Sequence, residues 1–323
     1  MTDTVSFEEF TYPSSDGINT VHACVWIPQD VAPRAIIQLS HGMCEYVARY
    51  DDWARRFAAH GIVFCGNDHL GHGQTAGAKT DLGYTATRGG ADYIVEDLYT
   101  MTGIIKSRFP DLPLFLYGHS MGSFAARLYL VRYGEELTGA LISGTAGPEQ
   151  PTALALKLTH AIARAKGHRH RSKFITSLAF GAYNKRFAKE KDPNAWLTRE
   201  RAVRERYASD PFCCYVFTAA GYDTLFHLLG AVSSKQWAAN VPKHLPILLF
   251  AGDMDPVGNY GKGVKKIYER LLAQECNVTL KLYEGGRHEM HNEENRDEVY
   301  EDIIEFLAKI PLPLTDQGVK YEF

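Results

Sequence analysis

Cysteine is sparse in this chain. Six are scattered over 323 residues, at positions 24, 44, 65, 213, 214 and 276, and none forms a C-x-x-C pair. That excludes a zinc-ribbon spacing and a disulfide framework, and it suits reduced thiols in the cytoplasm. Neither sign of charge is in excess: 35 Lys and Arg stand against 38 Asp and Glu. A net charge of -3 gives no electrostatic ground for a nucleic-acid partner. No apolar run approaches the ~18 residues of a membrane span. The opening MTDTVSFEEF lacks the basic start and apolar run of a signal peptide, so a cytoplasmic protein is expected. There is no internal repeat, no low-complexity tract and no signal for oligomeric state.

Hydrophobic residues, at 45%, suffice for a sizeable core. Short apolar runs alternate with helical patterns. Strands are expected at 20–27, 35–39, 62–65, 114–117, 140–142, 247–251 and 278–283. Helices are expected at 50–60, 92–109, 121–133, 262–274 and 296–309, and Pro311 and Pro313 end the pattern. Such alternation predicts an α/β fold with a mostly parallel sheet flanked by helices. The rhythm breaks between Pro148 and Val241, which hold helix formers, aromatics and basic residues but no buried strand pattern. The expected organisation is a core in two parts, 1–147 and 242–323, with a helical cap at 148–241 inserted between them.

Gly118-His119-Ser120-Met121-Gly122 is a G-x-S-x-G motif between an expected strand and an expected helix. The turn lifts a serine hydroxyl out of the sheet and points a helix N-terminus at it. The glycines remove side chains that would clash there. Ser120 is therefore the candidate nucleophile.

A serine needs a base to take its proton and a carboxylate to orient that base. In a chain of this pattern they follow in the order Ser, acid, His, at the ends of later strands. The strand at 247–251 runs into Asp253 and Asp255, and the strand at 278–283 runs into His288 and His291. Asp255 is preferred because Pro256 fixes the chain beside it, and Asp253 suits a turn aspartate. His288 is preferred because Gly285-Gly286 frees the backbone to turn it. His291 leads into Asn292-Glu293-Glu294, which reads as a helix start, and suits a surface position. The oxyanion of acyl transfer needs two N–H donors. Those of Met121, after the serine, and Met43, after Gly42 in the loop beyond the early strand, are the candidates.

HGMCEYVARY (41–50), NDHLGHGQT (67–75), YGHSMG (117–122), LKLYEGGRHEMHNE (280–293) and YASDP (207–211) together resemble the monoacylglycerol lipase and lysophospholipase family of α/β hydrolases. The resemblance runs over nearly the whole chain. It implies the α/β-hydrolase fold with a cap and an esterase acting on fatty-acyl monoesters. It also implies a triad of Ser120, Asp255 and His288, with Met43 and Met121 as oxyanion donors and no cofactor. A small-ester carboxylesterase or a peptidase of the same fold is the alternative chemistry. A non-catalytic binding protein is the alternative class.

His69 and His72 lack the companions of a metal site, and no metal is expected. Cys44 suits a buried small hydrophobe, with a place facing the site as the alternative. The basic stretch at 164–173 reads as a solvated loop, or else as a transient contact with an anionic membrane surface or a substrate phosphate. Leu178, Phe180 and Tyr183 either line an acyl channel or form the cap's own core.

Overall fold

A computed structural model describes residues 4–148 and 150–310, so Pro311 and Pro313 lie outside the described residues. The apolar runs pair into one eight-stranded sheet in the order β1-β2-β4-β3-β5-β6-β7-β8. Its strands are β1 (Val5–Pro13), β2 (Thr20–Pro28), β3 (Ala35–Ser40), β4 (Ile62–Asn67), β5 (Leu114–His119), β6 (Gly139–Ser143), β7 (Ile247–Gly252) and β8 (Val278–Tyr283). From β4 through β3 to β8 the pairing is parallel, while β1 and β2 add an antiparallel edge. The sequence reading began the sheet at residue 20 and missed β1. Only Val5 and Tyr12 of that strand are buried, so its hydrophobic signal is thin.

Neighbouring strand residues face opposite sides of a sheet. Leu114 and Leu116 of β5 join one core, and Phe115 and Tyr117 join the other. The second core packs under α1 (Asp51–Ala59) and α10 (Arg296–Ala308). The first packs under α2 (Gly90–Arg108), α3 (Met121–Tyr133) and α9 (Lys262–Leu272). Each fully buried aromatic or aliphatic side chain stabilises such a layer by ~2 kcal/mol. Gln38 is a polar residue inside the first core. Its amide donates to the Leu98 carbonyl and accepts from the Thr102 hydroxyl, so burial leaves it satisfied.

Between β6 and β7 the chain forms α4 (Thr152–Lys166), α5 (Lys173–Phe180), α6 (Arg201–Ser209), α7 (Ala219–Ser233) and α8 (Lys235–Ala239). Helix α7 packs against α2, α3 and α4. Arg127 of α3 anchors this layer from within. It donates to the Thr145 hydroxyl and to the Ala146 and Val232 carbonyls, and lies 4.2 Å over the Trp237 ring. Burial lowers its pKa to about 9. No helix among the described residues is long and apolar enough to cross a membrane.

Candidate active site

Ser120 sits between β5 and α3 with φ 54° and ψ -121°, a region that L-residues avoid. Its neighbours make the turn possible. A Cβ on Gly122 would stand 2.0 Å from the Ser40 carbonyl oxygen, and one on Gly118 would stand 2.5 Å from the Ala126 Cβ. With glycine at 122, α3 presses onto the end of β3 and brings the following loop to the serine. An added Cβ on Gly42 would lie 3.0 Å from the Ser120 Cβ.

The structure brings Ser120, His288 and Asp255 together from the ends of β5, β8 and β7. His288 Nε2 is 2.8 Å from Ser120 Oγ, and its Nδ1 is 3.0 Å from Asp255 Oδ2. Asp255 is fully buried, and its other oxygen accepts the Val257 N–H at 2.8 Å. Burial alone would lower the His288 pKa. The Asp255 carboxylate outweighs it and holds the imidazole above its ordinary value. Asp253 is not part of this line; its carboxylate accepts the Gly285 N–H at 2.8 Å, tying two loops together.

His291 is not a surface residue. The turn Met290–Asn292 folds its ring inward, where it stacks on Tyr50 at 4.5 Å and meets His119 edge-on at 4.9 Å. Burial lowers its pKa to about 3. The acidic run after it is not a helix start either, since α10 begins at Arg296. Glu293 is fully buried and accepts the Arg199 and Arg287 backbone N–H groups. His119, also buried, lies 4.8 Å from the His288 ring, and burial holds it neutral, well below its ordinary pKa.

Met121 opens α3, so its N–H has no acceptor one turn back in the helix. Met43 and Met121 both border the cavity that contains Ser120. In the Met43 loop the Gly42 N–H is taken up by the Glu45 carboxylate. Arg49 joins Glu45, at 2.9 Å, to Glu289, the residue after His288, at 2.7 Å. All three are largely buried. Burial opposes the Glu289 carboxylate, but Arg49 prevails and holds its pKa at about 2. Burial pushes the Glu45 pKa up against the same cation. The sequence reading missed this network, although Glu45 and Arg49 stand at the i,i+4 spacing of an ion pair. It also missed Trp196, whose carbonyl accepts the His288 N–H at 3.3 Å and whose ring lies 5.0 Å from the imidazole.

A cavity of about 660 Å³ opens at Ser120 and His288. Leu178, Phe180, Tyr183, Leu225, Phe226 and Leu229 form much of its apolar wall. Phe180, Tyr183 and Trp196 make ring contacts in series that end on His288. Among the described residues that border it there is no lysine or arginine. Cys44 borders it too, yet is buried, with its thiol donating to the Tyr215 carbonyl at 3.2 Å.

The stretch at 164–173 is more structured than a solvated loop. Its first residues end α4, Arg169 pairs with Asp81, and Arg171 donates to the Leu82 carbonyl at 2.8 Å. His69 and His72 are buried against His41, and His69 Nε2 lies 3.0 Å from Ser40 Oγ. Neither belongs to a cluster of metal-type ligands among the described residues.

Residues 31–295 match the family described as serine aminopeptidase, S33. The chain is 29% identical over 303 residues to a monoacylglycerol lipase of Mycolicibacterium smegmatis, covering 93% of this chain and 96% of that protein. It is 29% identical over 279 residues to the human monoglyceride lipase, covering 83% and 79%. Among solved structures it resembles a highly thermostable carboxyl esterase from Bacillus coagulans in complex with glycerol. The TM-score there is 0.88 at 32% identity, covering 94% of this chain and 99% of that one.

Proposed function

We propose that this chain, which belongs to the serine aminopeptidase S33 family and is an ester hydrolase of the lipase type, cleaves monoesters of medium or long fatty acids with a small neutral alcohol. Ser120 is the nucleophile, His288 the base and Asp255 its orienting acid. His288 takes the Ser120 proton as Oγ bonds to the ester carbon. The N–H groups of Met43 and Met121 hold the oxyanion. The ester C–O bond then breaks, and the alcohol leaves with the proton from His288. Water attacks the acyl-enzyme by the same route and releases the acid. No step calls for a cofactor.

The observation that carries the substrate reading is the lining of the cavity at Ser120. Its volume of about 660 Å³ lies within the range of sites that enclose a drug-sized ligand. Its apolar wall matches an acyl chain. Without a lysine or arginine among the described residues of that wall, and with Glu45 and Glu289 nearby, an anionic phosphate headgroup finds no partner there. A glyceryl ester fits this lining better than a lysophospholipid. Helices α4 to α8 serve as the cap over that cavity, and Phe180 and Tyr183 as acyl contacts. Six free cysteines suit a reducing compartment, the cytoplasm.

The test is a chain-length series of p-nitrophenyl esters run beside a monoacylglycerol, lysophosphatidylcholine and an aminoacyl amide. The expected order places medium and long acyl chains above acetyl, and the monoacylglycerol above lysophosphatidylcholine. A preference for acetyl esters or for the amide overturns the substrate reading. Fluorophosphonate should label the wild type and leave Ser120→Ala silent.

A further inference from the structure

Away from the cavity at Ser120, His160 on α4 faces Asp223 and His227 on α7. Asp223 and His227 stand one helical turn apart, so both project from the same face of α7. His160 Nε2 lies 2.6 Å from one oxygen of Asp223, and His227 Nε2 lies 3.8 Å from the other. The three ligand atoms fall within 4.8 Å of one another. We propose that these residues form a binding site for a divalent transition metal of the zinc class, which staples α4 to α7.

The chemistry of the donor set favours such an ion. Two imidazoles and one carboxylate suit Zn²⁺, Co²⁺ or Ni²⁺, and do not suit Ca²⁺ or Mg²⁺, which prefer oxygen. Metal-ligand distances of ~2.0–2.2 Å place ligand atoms about 3.3 Å apart around a tetrahedral ion. The present spacings straddle that value. Both imidazoles are close to half exposed, so small side-chain rotations close the set. The metal then takes the place of the hydrogen bond between His160 and Asp223. An adjoining cavity of about 420 Å³, bordered also by Thr87, Arg88, Arg164 and His168, leaves space beside the three ligands for water on the open coordination positions.

The other cluster of ligand-type residues among the described residues, Glu9, His22 and Cys24, is less suited. Both ring nitrogens of His22 are already engaged, by Asp68 and Glu9, and Cys24 is fully buried with its thiol pKa raised by that burial. The α4–α7 site bears on substrate because Leu154 and Ala155 of α4 and Leu225 and Phe226 of α7 border the cavity at Ser120. An ion there fixes two walls of that cavity against each other.

The experiment uses the full chain, stripped of metal by a chelator and titrated with Zn²⁺ in a calorimeter. His160→Gln, Asp223→Asn, His227→Gln and a Cys214→Ser control are titrated alongside. The wild type and the control should bind one equivalent and melt at a higher temperature with Zn²⁺. Each ligand variant should bind at least tenfold more weakly and show no such rise. Co²⁺ should give visible bands without a thiolate charge-transfer band. Esterase activity in metal-free buffer should equal that of the wild type in the three ligand variants, which establishes that they fold. The proposal is overturned if the wild type fails to bind submillimolar Zn²⁺, if the ligand variants bind as it does, or if Co²⁺ reports thiolate ligation.

Discussion

Arg49 grips Glu289 through two N–H···O bonds, of 2.9 and 2.7 Å, across 240 residues of chain. The pair joins the loop carrying Met43 to the loop carrying His288. Removing the cation leaves Glu45 and Glu289 buried side by side. Arg49→Met should therefore cost about 3–5 kcal/mol of unfolding free energy in urea. Arg49→Lys should recover only part, because a point charge cannot reproduce the two-pronged geometry.

The pH profile should carry the mark of the same region. The proposed base must be neutral to act, and Asp255 holds the His288 pKa above its usual 6.5. kcat/KM should thus fall on the acid side with an apparent pKa above 6.5. In Asp255→Asn the residual activity should show that limb displaced downward. For stability the sign is opposite: the His288–Asp255 contribution is complete below the unfolded histidine pKa and is lost as pH rises through the folded value. Glu289 contributes in the other sense. Its share is complete above the ordinary 4.5 and disappears as pH falls toward about 2.

The two aspartates after β7 should separate cleanly in kinetics. Asp255→Asn replaces the carboxylate facing His288 Nδ1 with a neutral amide, which no longer fixes the tautomer or stabilises the imidazolium, and should lower kcat by about 10⁴. Asp253→Asn disturbs one bond to the Gly285 backbone and should cost less than about tenfold. If Asp253→Asn is the more damaging change, Asp255 is not the orienting acid.

The backbone at Ser120 should store measurable strain. Glycine accepts a φ of 54° that alanine resists. Ser120→Gly should be more stable than Ser120→Ala by about 1 kcal/mol in denaturant melts, although both should be inactive. The usual entropy cost of glycine predicts the reverse order.

Much of this arrangement was legible in the sequence, because the parallel sheet writes its strands as continuous apolar runs. The runs at 35–39 and 114–117 mark the strand that leads into the Ser120 turn and its neighbour in the sheet. The glycines at 118 and 122 announce the close packing found there. What stayed hidden depends on contacts between distant segments. Nothing near His291 in sequence shows that a single turn carries it under Tyr50. Nothing near Glu293 shows that Arg199, 94 residues earlier, is its ion-pair partner. β1 escaped notice because an exposed edge strand has little hydrophobic pattern to give.

The segment from Ala195 to Arg199 touches the loop of the proposed base at nearly every residue. Ala195 accepts from Arg287, Trp196 from the His288 N–H and Leu197 from the Glu289 N–H. Thr198 donates to the Asn292 carbonyl, and Arg199 pairs with Glu293. These bonds tell a protein engineer where a chimera will fail. A graft that exchanges 148–241 for the corresponding region of a relative removes the strut under the imidazole along with much of the cavity wall at Ser120. Transplanting specificity into this scaffold therefore requires residues 195–199 to stay behind, or the 287–293 loop to travel with the donor.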